Sequence, residues 1–362
     1  MAVVKADAYG HGAPWVARAA LDAGASDLGV ATVGEGRILR QHGIVAPTIL
    51  LGAIDPSEAV AACEAGLQIT VGEKTLLDAV QLAASETRQR PVAIHVKVDT
   101  GLSRYGASPD LAVALASRIV ADDNVRLAGI STHFASADEP GEPFTTEQLQ
   151  RFEETLARVG AAGIAKPSVH AANSAGILTN QGTSYDMARA GIALYGVRPS
   201  REVALAPGMR SAMRLESRVA RILPLREGDT VGYNRTFRAS SSTVGALVPI
   251  GYADGYRRAL SGKGWVGIRG RSCHVLGRVS MDQIVVEVPA EAYVGVGDVV
   301  HVMSDDPGTR APGVEDIAAL CGTNAYEVLV GISQRVPRIF VECGEVVDRR
   351  VPGGETPAPE RG

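Results

Sequence analysis

Apolar, β-branched runs recur near residues 2–5, 27–31, 48–52, 68–71, 92–98, 127–133, 168–172 and 187–192, and segments of helical periodicity separate them. Unbroken apolar strands belong to sheets covered on both faces, and helical crossovers make such strands parallel. The intervening helices carry end signals. Asp55-Pro56-Ser57-Glu58 provides an N-cap, a proline at N1 and an acidic first turn, and Gly66 suits the C′ position. Thr145 and Gln148 have the spacing of a capping box, followed by Leu149, Phe152, Leu156 and Val159 on one helical face. Eight strand–helix units within about 200 residues suit a (β/α)8 TIM-type barrel, an α/β fold, better than an open doubly wound sheet.

Beyond residue 205 the pattern changes to short strands, glycines and tight turns, in RVARILPL, TVGALVPIGY, GWVGIRG, QIVVEVP and DVVHVM, with one helix signal near 314–330. The expected division is a barrel over 1–205, a mostly β C-terminal domain over 206–351 and a disordered tail over 352–362. A length of 362 residues exceeds what one hydrophobic core usually serves, in keeping with two domains. With 36 basic against 40 acidic residues the net charge is −4, and no basic run suggests a nucleic-acid or anionic membrane surface. No uninterrupted apolar stretch reaches the length of about 18 residues that a membrane helix needs. The start, Met-Ala-Val-Val-Lys-Ala-Asp, lacks a secretory pattern, so a cytoplasmic protein is expected. Cys63, Cys273, Cys321 and Cys343 are scattered, and neither a disulfide framework nor a metal site is expected.

Candidate chemistry begins at AVVKADAYGHG. Lys5 shares a strand face with Val3 and stands at the C-terminal strand end, where barrel enzymes carry reactive groups. Partial desolvation there would lower the amine's pKa and suit a Schiff base with an aldehyde cofactor; the position equally suits a solvated strand-end lysine. In VAIHVKVDTGLSRYG, Val92, Ile94, Val96 and Val98 alternate with His95, Lys97 and Asp99, which separates an apolar face from a charged one. Arg104 follows, with a planar fork able to grip a carboxylate, although this set could also be a structural ion-pair network. Thr132-His133-Phe134, His170-Ala171-Ala172-Asn173-Ser174 and Arg189-Ala190-Gly191-Ile192 end three further strands, so their polar groups should meet at one mouth. Ser174 and the amides near Gly191 fall after the seventh and eighth strands, where barrels commonly hold phosphate, while the histidines taken singly could be structural.

In order along the chain, AVVKADAYGHG, VDTGLSRYG, STHFASADE, HAANSAG, ARAGIALYG, VGYNRTF, IGYADGYRR, GRVSMDQ and RVPRIF resemble the motifs of bacterial alanine racemase, a pyridoxal-phosphate enzyme. The resemblance runs from Lys5 to about residue 341. It implies a homodimer that interconverts L- and D-alanine and supplies D-alanine for peptidoglycan. Lys5 would bind the cofactor and act as the base on one face of the substrate Cα, and Tyr233, reaching in from the partner subunit, as the base on the other. Removal of a proton from one face and its return to the opposite face is what racemisation requires. Arg189 would face the pyridine nitrogen, with His170 supporting it and His133 paired to the incoming tyrosine. Tyr9, Ser174, Gly191 and Ile192 would hold the phosphate. Arg104 and the backbone of Met281 would hold the substrate carboxylate, Lys97 occupies the place of a lysine often carbamylated in the family, and Tyr252 and Asp282 would line the entrance.

Two departures accompany the resemblance. The family's cofactor lysine follows a strand and a helix, whereas Lys5 stands almost at the start, so upstream coding sequence is expected to supply both and the chain from Met1 to express poorly, aggregate or bind cofactor weakly. Gln334 stands where many members carry a tyrosine, which leaves open a broad-specificity or serine-preferring racemase. A decarboxylase on the same plan and a non-catalytic carrier of the cofactor are the other readings, and the β domain with Tyr233 and GRVSMDQ favours the racemase.

Overall fold

A computed structural model describes residues 1–87, 90–289 and 292–351, and the tail expected over 352–362 lies outside the described residues. The chain divides into two compact units, Met1–Leu194 with Arg198–Pro207, and Tyr195–Val197 with the chain from Gly208 onward.

The first unit is built on seven parallel strands in sequential order: β1 (Ala2–Val3), β2 (Leu28–Val30), β3 (Thr48–Leu50), β4 (Gln68–Val71), β5 (Val92–Lys97), β6 (Val125–Ser131) and β7 (Ser168–His170). Leu28, Val30, Ile49, Leu50, Ile69, Val71, Ile94, Val96 and Ile130 are fully buried, as parallel strands covered on both faces require. The eighth expected strand is reduced to isolated bridges: Met187 pairs with His170 and Ala190 with Ala2, both parallel, so this segment lies between β7 and β1 and completes the ring. A regular ladder does not form because the Arg189 amide bonds the Ala172 carbonyl in the loop beyond β7, at 2.9 Å, and the chain then turns through a 3-10 segment, Ile192–Tyr195.

Around the strands run α1 (Lys5–Tyr9), left-handed over residues 6–9, and the right-handed α2 (Ala13–Asp22), α3 (Val33–Gln41), α4 (Ala59–Glu64), α5 (Lys74–Glu86), α6 (Pro109–Val120), α7 (Phe144–Ala161) and α8 (Ser174–Leu178). The signals before α4 act as expected: the Asp55 carboxylate accepts from the Ser57 amide at 2.9 Å, and Gly66 follows the helix at φ 61°. The expected capping box at Thr145 is not formed. The helix begins one residue earlier, at Phe144, and Thr145 and Gln148 belong to its buried face with Phe152, Thr155 and Val159. A three-residue spacing is common to a capping box and to one side of a helix, and here burial prevails. Gln148 is a strut, its amide accepting from Ala135 N (2.8 Å) and donating to Thr100 Oγ1 (3.1 Å) and to the His133 carbonyl (3.0 Å).

The second unit is mostly antiparallel. Its main sheet has the order β8 (Leu215–Arg218), β16 (Val299–Met303), β13 (Trp265–Ile268), β14 (Arg271–Leu276), β15 (Ile284–Val288), β12 (Thr243–Val248), β9 (Arg221–Leu225). The ribbon of β10 (Thr230–Val231) and β11 (Phe237–Arg238) carries the 3-10 turn Tyr233–Arg235, and β17 (Arg338–Glu342) with β18 (Glu345–Arg350) forms a hairpin. The single helix signal near 314–330 is two helices, α9 (Val314–Cys321) and α10 (Ala325–Val330), because Gly322 turns left-handed at φ 66° and Asn324 caps a new start, accepting from Glu327 N at 3.0 Å. No helix among the described residues is long and apolar enough to cross a membrane.

Candidate active site

Lys5 sits at the edge of a backbone conformation that its sequence does not favour. Ala6, Asp7, Ala8 and Tyr9 all adopt φ between 52° and 54°, a left-handed turn made of L-residues. Each such residue costs roughly 1–2 kcal/mol, so the turn must be held from outside. The Glu35 carboxylate accepts from Ala6 N at 2.7 Å and from Ala31 N at 2.7 Å, tying the turn to the end of β2. Asp7 accepts from Ala13 N at 2.8 Å at the start of α2, and His11 Nδ1 donates to the carbonyls of Ala8 and Tyr9, both at 3.0 Å. Tyr9 ends the turn buried, and burial pushes its phenol up to about 12.

At the same end of the strands the field is strongly positive. Burial lowers the Lys5 amine below its ordinary value, and Arg104 nearby adds to this against an opposing pull from Glu35. Lys97 falls to about 8, by burial first and then by Arg189, Arg104 and Lys5, while its ammonium stands 5.8 Å from the centre of the Tyr105 ring. His133 is lowered to about 2 by burial and by the same four cations, Arg189, Lys97, Arg104 and Lys5. A neutral imidazole among cations can accept or donate a hydrogen bond without adding charge.

Arg189 is buried, and the groups it touches are all uncharged acceptors. Its guanidinium donates to His170 Nδ1 (2.9 Å), to the carbonyls of Thr132 and Ala171 (both 2.7 Å) and to His133 Nδ1 (3.3 Å). Among the described residues no carboxylate pairs with it, and burial brings it down to about 10, still a cation at neutral pH. The three strand ends carrying His133, His170 and Arg189 thus meet at one mouth, as the sequence suggests.

Across the loops after β7 and the closing segment, the Ser174 hydroxyl accepts from the amides of Gly191 (2.8 Å) and Ala193 (3.2 Å). A Cβ at position 191 would stand 2.8 Å from the Tyr9 hydroxyl and 3.5 Å from Ser174 Oγ, so glycine keeps a small polar hollow open between them. Ile192 is buried behind it.

Tyr233, Tyr252, Met281 and Asp282 belong to the second unit, and among them Tyr233 is 70% exposed, Met281 52% and Tyr252 43%. Gly251 packs so closely on Met281 that an added Cβ would lie 2.3 Å from its carbonyl oxygen, and the Ala253 amide bonds that oxygen at 2.9 Å. Arg335, which sequence reasoning passes over beside Gln334, clamps the two loops by donating to Asp254 and Asp282, both at 2.7 Å. Glu35 and Gln68 are likewise missed, since nothing local marks a glutamate or glutamine whose partners lie on other strands.

A family model described as the alanine racemase N-terminal domain matches residues 1–199, and one described as the C-terminal domain matches residues 212–340. The chain is 42% identical over 340 residues to the alanine racemase of Symbiobacterium thermophilum, covering 94% of this chain and 90% of the relative. Among solved structures it is similar to alanine racemase of Clostridium difficile 630, at a TM-score of 0.90 and 33% identity over 97% of this chain and 90% of that one. It is similar also to alanine racemase from Bacillus anthracis with bound L-Ala-P, at a TM-score of 0.89 and 34% identity over the same shares of the two chains.

Proposed function

The chain belongs to the alanine racemase family, and on that premise we propose that it works through two bases, Lys5 and Tyr233, with pyridoxal 5′-phosphate in a homodimer whose sites are shared between subunits. The reaction is the interconversion of L- and D-alanine. Its product would serve peptidoglycan synthesis.

The observation that carries this reading is the convergence of Lys5, Lys97, Arg104 and Arg189 on the neutral His133. An excess of cations suits a dianionic phosphate and a substrate carboxylate together. The hollow kept open by Gly191 beside Tyr9 and Ser174 fits the phosphate, with the Ser174 hydroxyl and the buried Tyr9 phenol as donors. When bound, the cofactor supplies an electron sink that makes the substrate Cα–H acidic.

The protein's own groups do the rest. Desolvation of Lys5 favours its neutral amine, which can attach the cofactor and move a proton at one face of Cα. Tyr233, exposed on its own unit, would serve the opposite face in the partner subunit, with His133 as its hydrogen-bond partner. Arg189 keeps its protons and would give none to the pyridine nitrogen of the bound cofactor, which would confine charge near Cα and disfavour transamination. Arg104 and the Met281 backbone would bind the carboxylate, while Tyr252 and Asp282 would line the entrance. The Lys97 amine, brought to about 8, has at neutral pH a neutral fraction able to add carbon dioxide, with loss of one proton to solvent, giving a carbamate that would orient Arg104.

The test is complementation. Tyr233→Phe should lower racemisation by a factor of about 10² to 10⁴, the range for a general acid–base group, and Lys5→Ala should abolish it. Mixed chains of these two variants should regain part of the activity, since one site of the mixed dimer keeps both bases. Confirmed subunit exchange without regained activity would reject shared sites.

A further inference from the structure

The hydrogen bonds of Arg189 continue beyond His170. His170 Nε2 lies 3.1 Å from His95 Nδ1, and His95 Nε2 lies 2.7 Å from the Gln68 side-chain oxygen. A guanidinium only donates, so His170 Nδ1, at 2.9 Å from Arg189, must be a lone pair. The His170 proton is then on Nε2 and donates to His95 Nδ1. The His95 proton is in turn on Nε2, and its acceptor is Gln68. The three donors, Arg189, His170 and His95, therefore all point the same way, toward the accepting oxygen of Gln68 at the start of β4.

The backbone is shaped for this chain of bonds. The β5–β6 register slips between Ile94 and His95, a bulge that redirects a side chain. Opposite it stands Gly129, where an added Cβ would lie 2.3 Å from His95 Nδ1, the atom that accepts from His170. His95 and His170 meet edge to face, with ring centres 5.2 Å apart.

We propose that Gln68 and His95 are positioning residues for Arg189: by accepting in sequence they hold His170 in the tautomer that turns a lone pair, never an N–H, toward the guanidinium. If the last acceptor is removed, His95 can place its proton on Nδ1. That forces the His170 proton onto Nδ1, facing Arg189. The guanidinium then loses a partner and its aim. The catalytic consequence rests on the role of Arg189 proposed above, whereas the tautomers themselves do not.

The experiment uses the full chain labelled with 15N at histidine, whose one-bond and two-bond proton correlations distinguish the two neutral tautomers. In the unaltered protein His95 and His170 should both carry their proton on Nε2, with or without cofactor; a proton on Nδ1 of either ring overturns the proposal. Gln68→Glu keeps an acceptor and should keep both tautomers. Gln68→Met has the length but no acceptor, and should give mixed tautomers, racemisation lowered about 10-fold as for other supports of a site ligand, and a larger share of turnovers ending in transamination. Unchanged tautomers in Gln68→Met, or equal losses in the Glu and Met variants, would contradict the scheme. A protein with the tautomers as described and no racemisation would count instead against the racemase mechanism.

Discussion

Arg189 donates to His170 Nδ1 at 2.9 Å, so a buried cation is met by a neutral ring where a carboxylate would be the usual partner. Buried charges are normally paired with opposite charge. Here the field stays positive, which leaves the barrel mouth matched to anionic ligands and keeps the neighbouring histidines neutral.

That neutrality makes stability depend on acid. His95 is lowered to about 4 and His133 to about 2, chiefly by burial, and His170 also lies well below its ordinary value of 6.5. Unfolded histidines bind protons below about pH 6.5 that the folded ones refuse, so stability is full above that pH and falls as pH drops below it. With three such groups the loss approaches at most about 4 kcal/mol per pH unit between roughly pH 6 and 4. Melting temperature followed against pH checks this, and a flat profile through pH 5 would contradict the buried neutral assignment.

The turn after Lys5 predicts an unusual gain. Ala6 is exposed and sits at φ 52°, where glycine carries no steric penalty. Ala6→Gly should stabilise by about 0.5–1 kcal/mol after the entropy of glycine is counted, a rise of about 1–2 °C in melting temperature. A lower melting temperature would mean that the turn is not strained.

Ser174 offers a third test. Ser174→Ala strips the acceptor from the Gly191 and Ala193 amides and would remove a donor to the proposed phosphate. The expected loss is about 1–3 kcal/mol of stability for the unsatisfied amides, together with weaker cofactor retention on dialysis, read from absorbance of the bound cofactor. Retention equal to that of the unaltered chain would exclude Ser174 from the phosphate site.

These features were unequally legible in the sequence. The seven strands read clearly because burial on both faces makes each a β-branched run, and the place of Ser174 and Gly191 after the last strands is likewise legible. The left-handed turn did not, since Ala-Asp-Ala-Tyr carries no glycine to mark it and its support comes from Glu35, 29 positions from Ala6. The His95 side chain could be placed on the inner face, but its partner His170 lies 75 positions away and its bulge is invisible without the neighbouring strand. Thr145 misled because a buried polar helix face repeats the spacing of a cap. Arg335 joins Asp254 and Asp282 across 81 and 53 positions, a relation with no local signature.

The most direct test of the central claim is incubation of the cofactor-loaded chain with L-alanine in deuterium oxide, followed by chiral separation and mass analysis. The two-base account predicts approach to equal L- and D-alanine, with deuterium at Cα of the D-alanine formed. Deuterium entering L-alanine while no D-alanine forms would mean one base acting on one face, and would contradict it.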